Sequence, residues 1–157
     1  MWQQRGEAKG KDSGPWAIYF AVAVDLFTDG VLIGTGLTIS FGLALLLALG
    51  QVSADIPEGF ATMANFKSQG FARRKRLLIA ASFLIPVLLG ATLGYWLVRD
   101  QAEIFKLSLL SFAAGVLVTG VVEEIIPESH KEGEARSAAL MLVAGFGLFT
   151  LLSVYLG

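Results

Sequence analysis

The sequence predicts an all-α fold, a polytopic bundle of five membrane-spanning helices. Only 16% of the 157 residues are charged, whereas a soluble domain carries roughly a quarter, and the mean hydropathy is +0.67. Each span needs ~20 residues to cross ~30 Å of hydrocarbon, and a helix is favoured because it satisfies backbone polar groups within the segment. Apolar segments of sufficient length lie at about 15–34, 37–66, 77–98, 105–127 and 137–156.

Composition also predicts the domain organisation and excludes several classes of function. Residues 1–14 are read as a polar tail, and residues 15–157 as one transmembrane domain. The absence of cysteine excludes thiolate metal sites and cysteine nucleophiles, and the single histidine, His130, excludes a histidine-rich metal cage. No nucleophile–base pair or glycine-rich phosphate loop is visible, and the basic residues form no stacking platform. We therefore expect neither an enzyme nor a nucleic-acid partner, and no bound cofactor.

The distribution of basic residues predicts the topology. A single span over Gly30–Ala54 would give four spans and split the basic residues seven against five. Five spans split them ten against two, which the positive-inside rule favours. The turn between the first two spans is then expected at Gly34-Thr35-Gly36, the N-terminus in the cytoplasm and the C-terminus outside, in the plasma (inner) membrane. The ten residues on the cytoplasmic side are Arg5, Lys9, Lys11, Lys67, Arg73, Arg74, Lys75, Arg76, Lys131 and Arg136.

Glycine and proline suggest how the helices pack. The pairs Gly30/Gly34 and Gly90/Gly94 have the small-xxx-small spacing that lets helices approach closely, and we assign them to packing. Pro57 is expected to kink the second span, since proline removes one helical hydrogen bond.

Four carboxylates inside the apolar spans are the candidate site. Asp25 and Asp29 are four residues apart, and Asp55 and Glu58 are three apart, so each pair shares a helix face. At ~1.5 Å per residue, both pairs lie about 15 Å below the cytoplasmic surface. Each buried acid costs about 2.5–3.5 kcal/mol, and no Lys, Arg or His lies within the first two spans, which hold these acids. The acids therefore either bind a cation or are protonated and hydrogen-bonded to one another.

Two further acids, Glu123 and Glu124, lie one turn before Pro127 near the cytoplasmic end of the fourth span. Adjacent residues on a helix point about 100° apart, so at most one of them can face a pathway. A place on a cation exit path and a solvated helix face are both open. His130 lies in a charged loop and is read as solvated.

These residues resemble the motifs of the Zrt/Irt-like (ZIP) family of divalent metal transporters. Asp25-Leu26-Phe27-Thr28-Asp29-Gly30 resembles the family's fourth-helix pattern, and Ala54-Asp55-Ile56-Pro57-Glu58-Gly59 its fifth-helix pattern. The segment from Gly120 to His130 is similar to the end of the seventh helix, and the segment from Gly145 to Tyr155 to the last helix. The resemblance implies a fold like helices four to eight of the ZIP fold.

Carried over by position, the resemblance implies metal ligands at Asp25, Asp29, Asp55 and Glu58. Asp25 stands where the family often has histidine, and Leu26 where it often has asparagine. Ala54 replaces a histidine or glutamine, and Ile85 occupies the place of a glutamate that bridges a second metal in many members. The remaining ligands are all oxygen, which suits Mn²⁺, Mg²⁺ or Fe²⁺, while zinc also accepts carboxylates.

The resemblance implies transport of a divalent cation such as zinc, iron or manganese into the cytoplasm. Family members have eight helices, so we expect either a fragment or a chain completed by self-association or by a partner that supplies the other helices. Two alternatives remain: a truncated membrane subunit that assembles but does not transport, and a proton-coupled carrier whose acids bind no metal.

Overall fold

The computed structural model describes residues 14–125 and 135–156, and throughout these ranges the regular structure is helical. Five segments are long and apolar enough to cross a membrane, with α3 and α4 together forming the third. The protein is therefore an integral membrane protein with the predicted all-α bundle. The helices are α1 (Pro15–Leu37), α2 (Phe41–Ser68), α3 (Arg73–Ser82), α4 (Leu84–Val98), α5 (Glu103–Gly120), which continues into a π-helical turn (Val121–Ile125), and α6 (Ala135–Leu156).

The connection between α1 and α2 differs from the sequence-based prediction. The turn expected at Gly34-Thr35-Gly36 is wrong: α1 continues to Leu37, and the turn lies at 38–40. The signal for the true turn is Ser40, whose side chain accepts a hydrogen bond from the Leu43 backbone N–H at 3.0 Å and so caps α2. The two glycines lie at helix–helix contacts, where their missing side chains allow close approach.

The other end of α2 closes with a Schellman motif. Gly70 adopts a positive φ of 80°, and its N–H donates to the Lys67 carbonyl at 3.0 Å. The Phe71 N–H donates to the Phe66 carbonyl at 3.1 Å, and the two phenylalanine rings contact each other with centroids 5.0 Å apart. This combination is the usual backbone and apolar signature of a glycine-terminated helix.

Proline acts differently in the second and third spans. Pro86 cannot donate to the Ser82 carbonyl four residues earlier, and the helix is interrupted at Phe83, between α3 and α4. By contrast, α2 stays helical through Pro57, and the kink expected there remains a prediction. The Ser82 hydroxyl next to the break hydrogen-bonds with the Tyr19 hydroxyl at 2.9 Å, which ties the third span to α1.

The closest helix contact joins α1 and α4 through the two glycine pairs. A Cβ added at Gly30 would overlap the Val87 carbonyl oxygen, and one added at Gly90 would overlap the Phe27 carbonyl oxygen. Gly34 and Gly94 have equally close backbone neighbours on the opposite helix. The packing role predicted for both glycine pairs is confirmed, because only glycine permits this backbone-to-backbone approach.

An aromatic cluster joins the beginning of α1 to the end of α2. The Trp16 ring contacts Phe66 and Phe71 edge-to-face, with centroids 6.4 and 6.5 Å apart. Phe66 is fully buried, and Tyr19 stacks on Phe83 at 5.1 Å. Aromatic pairs of this geometry add about 0.5–1.5 kcal/mol each beyond burial of their area. The cluster therefore holds α1 and α2 antiparallel, with the start of one beside the end of the other.

Substitution of Gly90 by alanine is expected to destabilise the α1–α4 contact. The new methyl group would meet the Phe27 backbone, which cannot rotate away, so the loss should reach or exceed the ~1–3 kcal/mol that overpacking costs. The measurement is the unfolding temperature in detergent. The matched control is Gly115→Ala in α5, where an added Cβ meets nothing within 4 Å. Equal unfolding temperatures for the two variants would contradict the described contact.

Candidate metal site

Among the residues that the structure describes, the most buried carboxylate lies on α1. Asp29 and Asp25 are one helical turn apart on that helix. Asp29 is only 4% exposed, and it directly precedes Gly30, which packs against α4. Asp25 is exposed. The close contact between α1 and α4 therefore fixes the position of the backbone next to Asp29.

Asp55 on α2 completes a group of three carboxylates. One oxygen from each of Asp25, Asp29 and Asp55 lies within 4.8 Å of the other two. Asp29 on α1 and Asp55 on α2 thus face each other across the interface between the two helices. Three of the four acids expected from α1 and α2 thus lie close together, and their role as metal ligands stays a prediction. In the described part of the chain, this is the one cluster with metal-ligand spacing.

Along residues 15–66, the helices that carry this aspartate group offer it no positive charge. Between residues 15 and 66 the sequence contains no Lys, Arg or His. Three carboxylates at this separation repel one another strongly, because the apolar surroundings screen charge poorly. The arrangement is stable either with a bound cation or with protons shared among the acids.

The sequence of this chain is similar to those of known proteins. A family model described as "ZIP Zinc transporter" matches residues 4–153, a range that includes both acid-bearing helices. The chain belongs to the ZIP family. The resemblance found in the sequence motifs is thereby confirmed.

Two curated relatives also match this ZIP chain. The zinc transporter ZIPB of Bordetella bronchiseptica is 28% identical over 145 residues, which cover 90% of this chain and 46% of the relative. The zinc transporter GufA of Myxococcus xanthus is 29% identical over 146 residues, which cover 90% of this chain and 56% of the relative. The chain thus spans about half the length of the curated relatives it matches. No solved structure matches it significantly.

Glu58 lies near the aspartate group without being part of it. It is one helical turn beyond Asp55 on α2, and its side chain is exposed. Its carboxylate is close enough to repel those of Asp25, Asp29 and Asp55 electrostatically. A ligand role for all four acids remains a prediction.

The second predicted acid pair is only partly described. Glu123 lies in the π-helical turn that follows α5, and its side chain is exposed. Glu124 belongs to the same turn of backbone, whereas Pro127 and His130 lie outside the described residues. Single-turn π-helical segments often occur at functional sites. The exit-path role of the two glutamates remains a prediction.

The sequence patterns did not indicate one polar residue next to the aspartate group, Gln51. The Gln51 side-chain amide donates a hydrogen bond to Asp29 Oδ1, across the α1–α2 interface. Two signals could have identified it. Gln51 is the only carboxamide in the uncharged run from Gly30 to Ala54, and it lies four residues before Asp55, on the same face of α2.

Added divalent metal is expected to stabilise the purified protein, and Asp55→Asn is expected to reduce that effect. A ligand that binds only the folded state at 100 times its Kd adds about 2.7 kcal/mol. The measurement is the unfolding temperature with and without Mn²⁺ or Zn²⁺. The control is Asp100→Asn, which makes the same chemical change at an exposed residue paired with Arg99 in the α4–α5 connection. A protonated cluster predicts the reverse: no metal effect, and an Asp55→Asn protein at least as stable as the wild type.

Proposed function

We propose that this chain forms part of a transporter that moves a divalent metal cation across the membrane through the aspartate group of Asp25, Asp29 and Asp55. The meeting of these three carboxylates between α1 and α2, in a ZIP family chain, is the observation that carries the proposal. Intramembrane acids generally mark ion pathways. Glu58 is proposed as the fourth ligand, since it is adjacent to the group on α2.

The donor set favours hard divalent cations. Carboxylate oxygens suit Mn²⁺ and Fe²⁺, and Zn²⁺ also binds carboxylates, at about 2.0–2.2 Å. Both curated relatives carry names as zinc transporters. We therefore propose zinc, iron or manganese as cargo. The ion is the substrate, and no resident cofactor is needed.

We further propose that the cation moves inward, toward the cytoplasm, as the family resemblance implies. The cytoplasmic side is assigned from the ten-to-two split of basic residues. Glu123 follows α5 on that same side and is proposed, with Glu124, to lie on the exit path.

The orientation predicts that single cysteines at Ser68 and Gln101 react from opposite sides of the membrane, with Ser68 on the cytoplasmic side. Both side chains are exposed, at the end of α2 and in the α4–α5 connection, and the chain has no native cysteine to interfere. Labelling of both positions by an impermeant maleimide from one side would exclude this topology.

A second candidate function is proton movement by the acids alone. It is favoured by the closeness of the Asp25, Asp29 and Asp55 carboxyl groups, whose oxygens lie within 4.8 Å of one another and repel unless a proton or a cation lies between them. In that case, proton flux would survive metal removal by a chelator, whereas metal transport would stop.

Transport itself is tested by metal uptake into vesicles or cells that contain the protein. Asp29→Asn and Asp55→Asn keep side-chain size and remove charge, so each should reduce uptake at least ten-fold, because the cation loses a ligand in a poorly screened site. Asp100→Asn should retain wild-type uptake. Uptake that is unaffected by both site substitutions would exclude the proposed pathway.

We propose that the transporting assembly includes helices beyond those of a single copy of this chain. In the membrane-spanning stretches of α5 and α6, 0% of the described residues are buried. Asp25 is exposed on α1. An acid facing hydrocarbon costs several kcal/mol, and lipid cannot line a hydrated cation path. A second copy of this chain or another membrane chain is proposed to cover the exposed side of α1 that carries Asp25. Metal flux from vesicles shown to hold one chain each would contradict this.

A further inference from the structure

The hydrogen bond between Gln51 and Asp29 is the feature of the α1–α2 interface that the proposed cation chemistry has not used. Gln51 lies on α2, one turn before Asp55, and its side chain is partly buried. Its partner Asp29 lies on α1 and is 4% exposed. The hydrogen bond joins Gln51 Nε2 to Asp29 Oδ1. In this way α2 presents both an amide donor and a carboxylate to the same residue of α1.

The direction of this hydrogen bond matters for the orientation of Asp29. A carboxamide N–H donates to one carboxyl oxygen, and in poorly screened surroundings such a bond is stronger than in water. The bond occupies one of the two carboxylate oxygens. The other oxygen remains for a cation, and the burial of Asp29, which is 4% exposed, restricts the other positions its side chain can take.

Gln51 also differs from the acids in carrying no charge. A fourth carboxylate in its place would add to the repulsion among Asp25, Asp29 and Asp55, whose oxygens already lie within 4.8 Å. An amide holds Asp29 without that penalty. Residues that orient metal ligands in this manner typically change metal affinity about 10–100-fold when they are replaced.

We propose that Gln51 is a positioning residue of the cation site, which orients the Asp29 carboxyl group toward Asp25 and Asp55 through its amide N–H. The inference rests on the proposed function, because it assigns the role of Gln51 to the same site. It names a residue outside the acid motifs as a determinant of how tightly the cation is bound.

The test compares Mn²⁺ binding by the purified wild-type protein, Gln51→Met and Gln51→Glu, measured by calorimetric titration. Methionine keeps the length of the side chain and removes the donor, and its thioether is a poor ligand for Mn²⁺. Glutamate keeps the shape and replaces the donor by an acceptor. Both variants are expected to bind Mn²⁺ about 10–100-fold more weakly than the wild type. The matched control is Gln69→Leu, which removes an exposed glutamine at the C-cap of α2 and should leave binding unchanged.

Infrared difference spectroscopy provides a readout that packing alone would not change. Binding of Mn²⁺ shifts carboxylate stretching bands, and loss of a hydrogen bond to Asp29 should alter that shift in Gln51→Met but not in Gln69→Leu. Identical difference spectra for Gln51→Met and the wild type would overturn the inference.

The binding results distinguish failure of the positioning role of Gln51 from failure of the proposed function. A wild-type protein that does not bind Mn²⁺ or Zn²⁺ would sink both. Wild-type binding with unchanged affinity in Gln51→Met would sink the positioning role alone. Tighter binding by Gln51→Glu would also overturn it, since residue 51 would then act as a direct ligand. If Gln51→Met does not fold, the Gln51→Glu affinity decides by the same criterion.

Discussion

The antiparallel register of α1 and α2 is the constraint on which the candidate site depends. A turn of three residues, 38–40, joins the two helices at one end, and the contact of Trp16 with Phe66 holds them at the other. Asp25 and Asp55 lie about equally far along the chain from that aromatic contact. Helices fixed at both ends cannot slide, so the carboxylates of both helices meet at one depth. A shift of one turn, ~5.4 Å, would separate them.

The glycine contact between α1 and α4 fixes the opposite side of the same helix. Gly30 follows Asp29 directly, and its backbone lies against the carbonyl of Val87. Asp29 therefore belongs to a turn of helix that is in van der Waals contact with another backbone on one side and with the acids of α2 on the other. Such a scaffold keeps three mutually repelling groups together, and a preorganised ligand set binds a cation without first having to order its side chains.

The chemistry of the site depends on the lack of basic residues near the acids as much as on the acids themselves. Residues 15–66 of the first two helices hold several acids and no basic residue, so positive charge must come from outside this stretch or the acids must hold protons. Gln51 adds a neutral hydrogen-bond donor to this anionic group. Carboxylate oxygen ligands of this kind suit hard divalent cations.

Much of the fold could be read from local sequence. The number of spans depends on hydropathy and charge, which are properties of the residues alone, and the glycine pairs indicated close packing through their spacing. The turn after α1 was misplaced because glycine serves two purposes: it permits turns, and it permits helices to touch. Gly34 and Gly36 serve the second, and only the positions of Ala91 on α4 and Leu47 on α2 distinguish the two uses.

The sequence by itself determined that acids lie inside membrane spans, which of them share a helix face, and which family the chain resembles. The tertiary structure decided that Asp25, Asp29 and Asp55 form the close group, that Glu58 stands outside it, and that Gln51 reaches across to Asp29. The physical reason is that helical periodicity fixes only the neighbours of a residue on its own helix. Which residues meet across two helices depends on their register and rotation, and these are set by contacts far from the site, at Trp16, Phe66 and the glycines of α1 and α4.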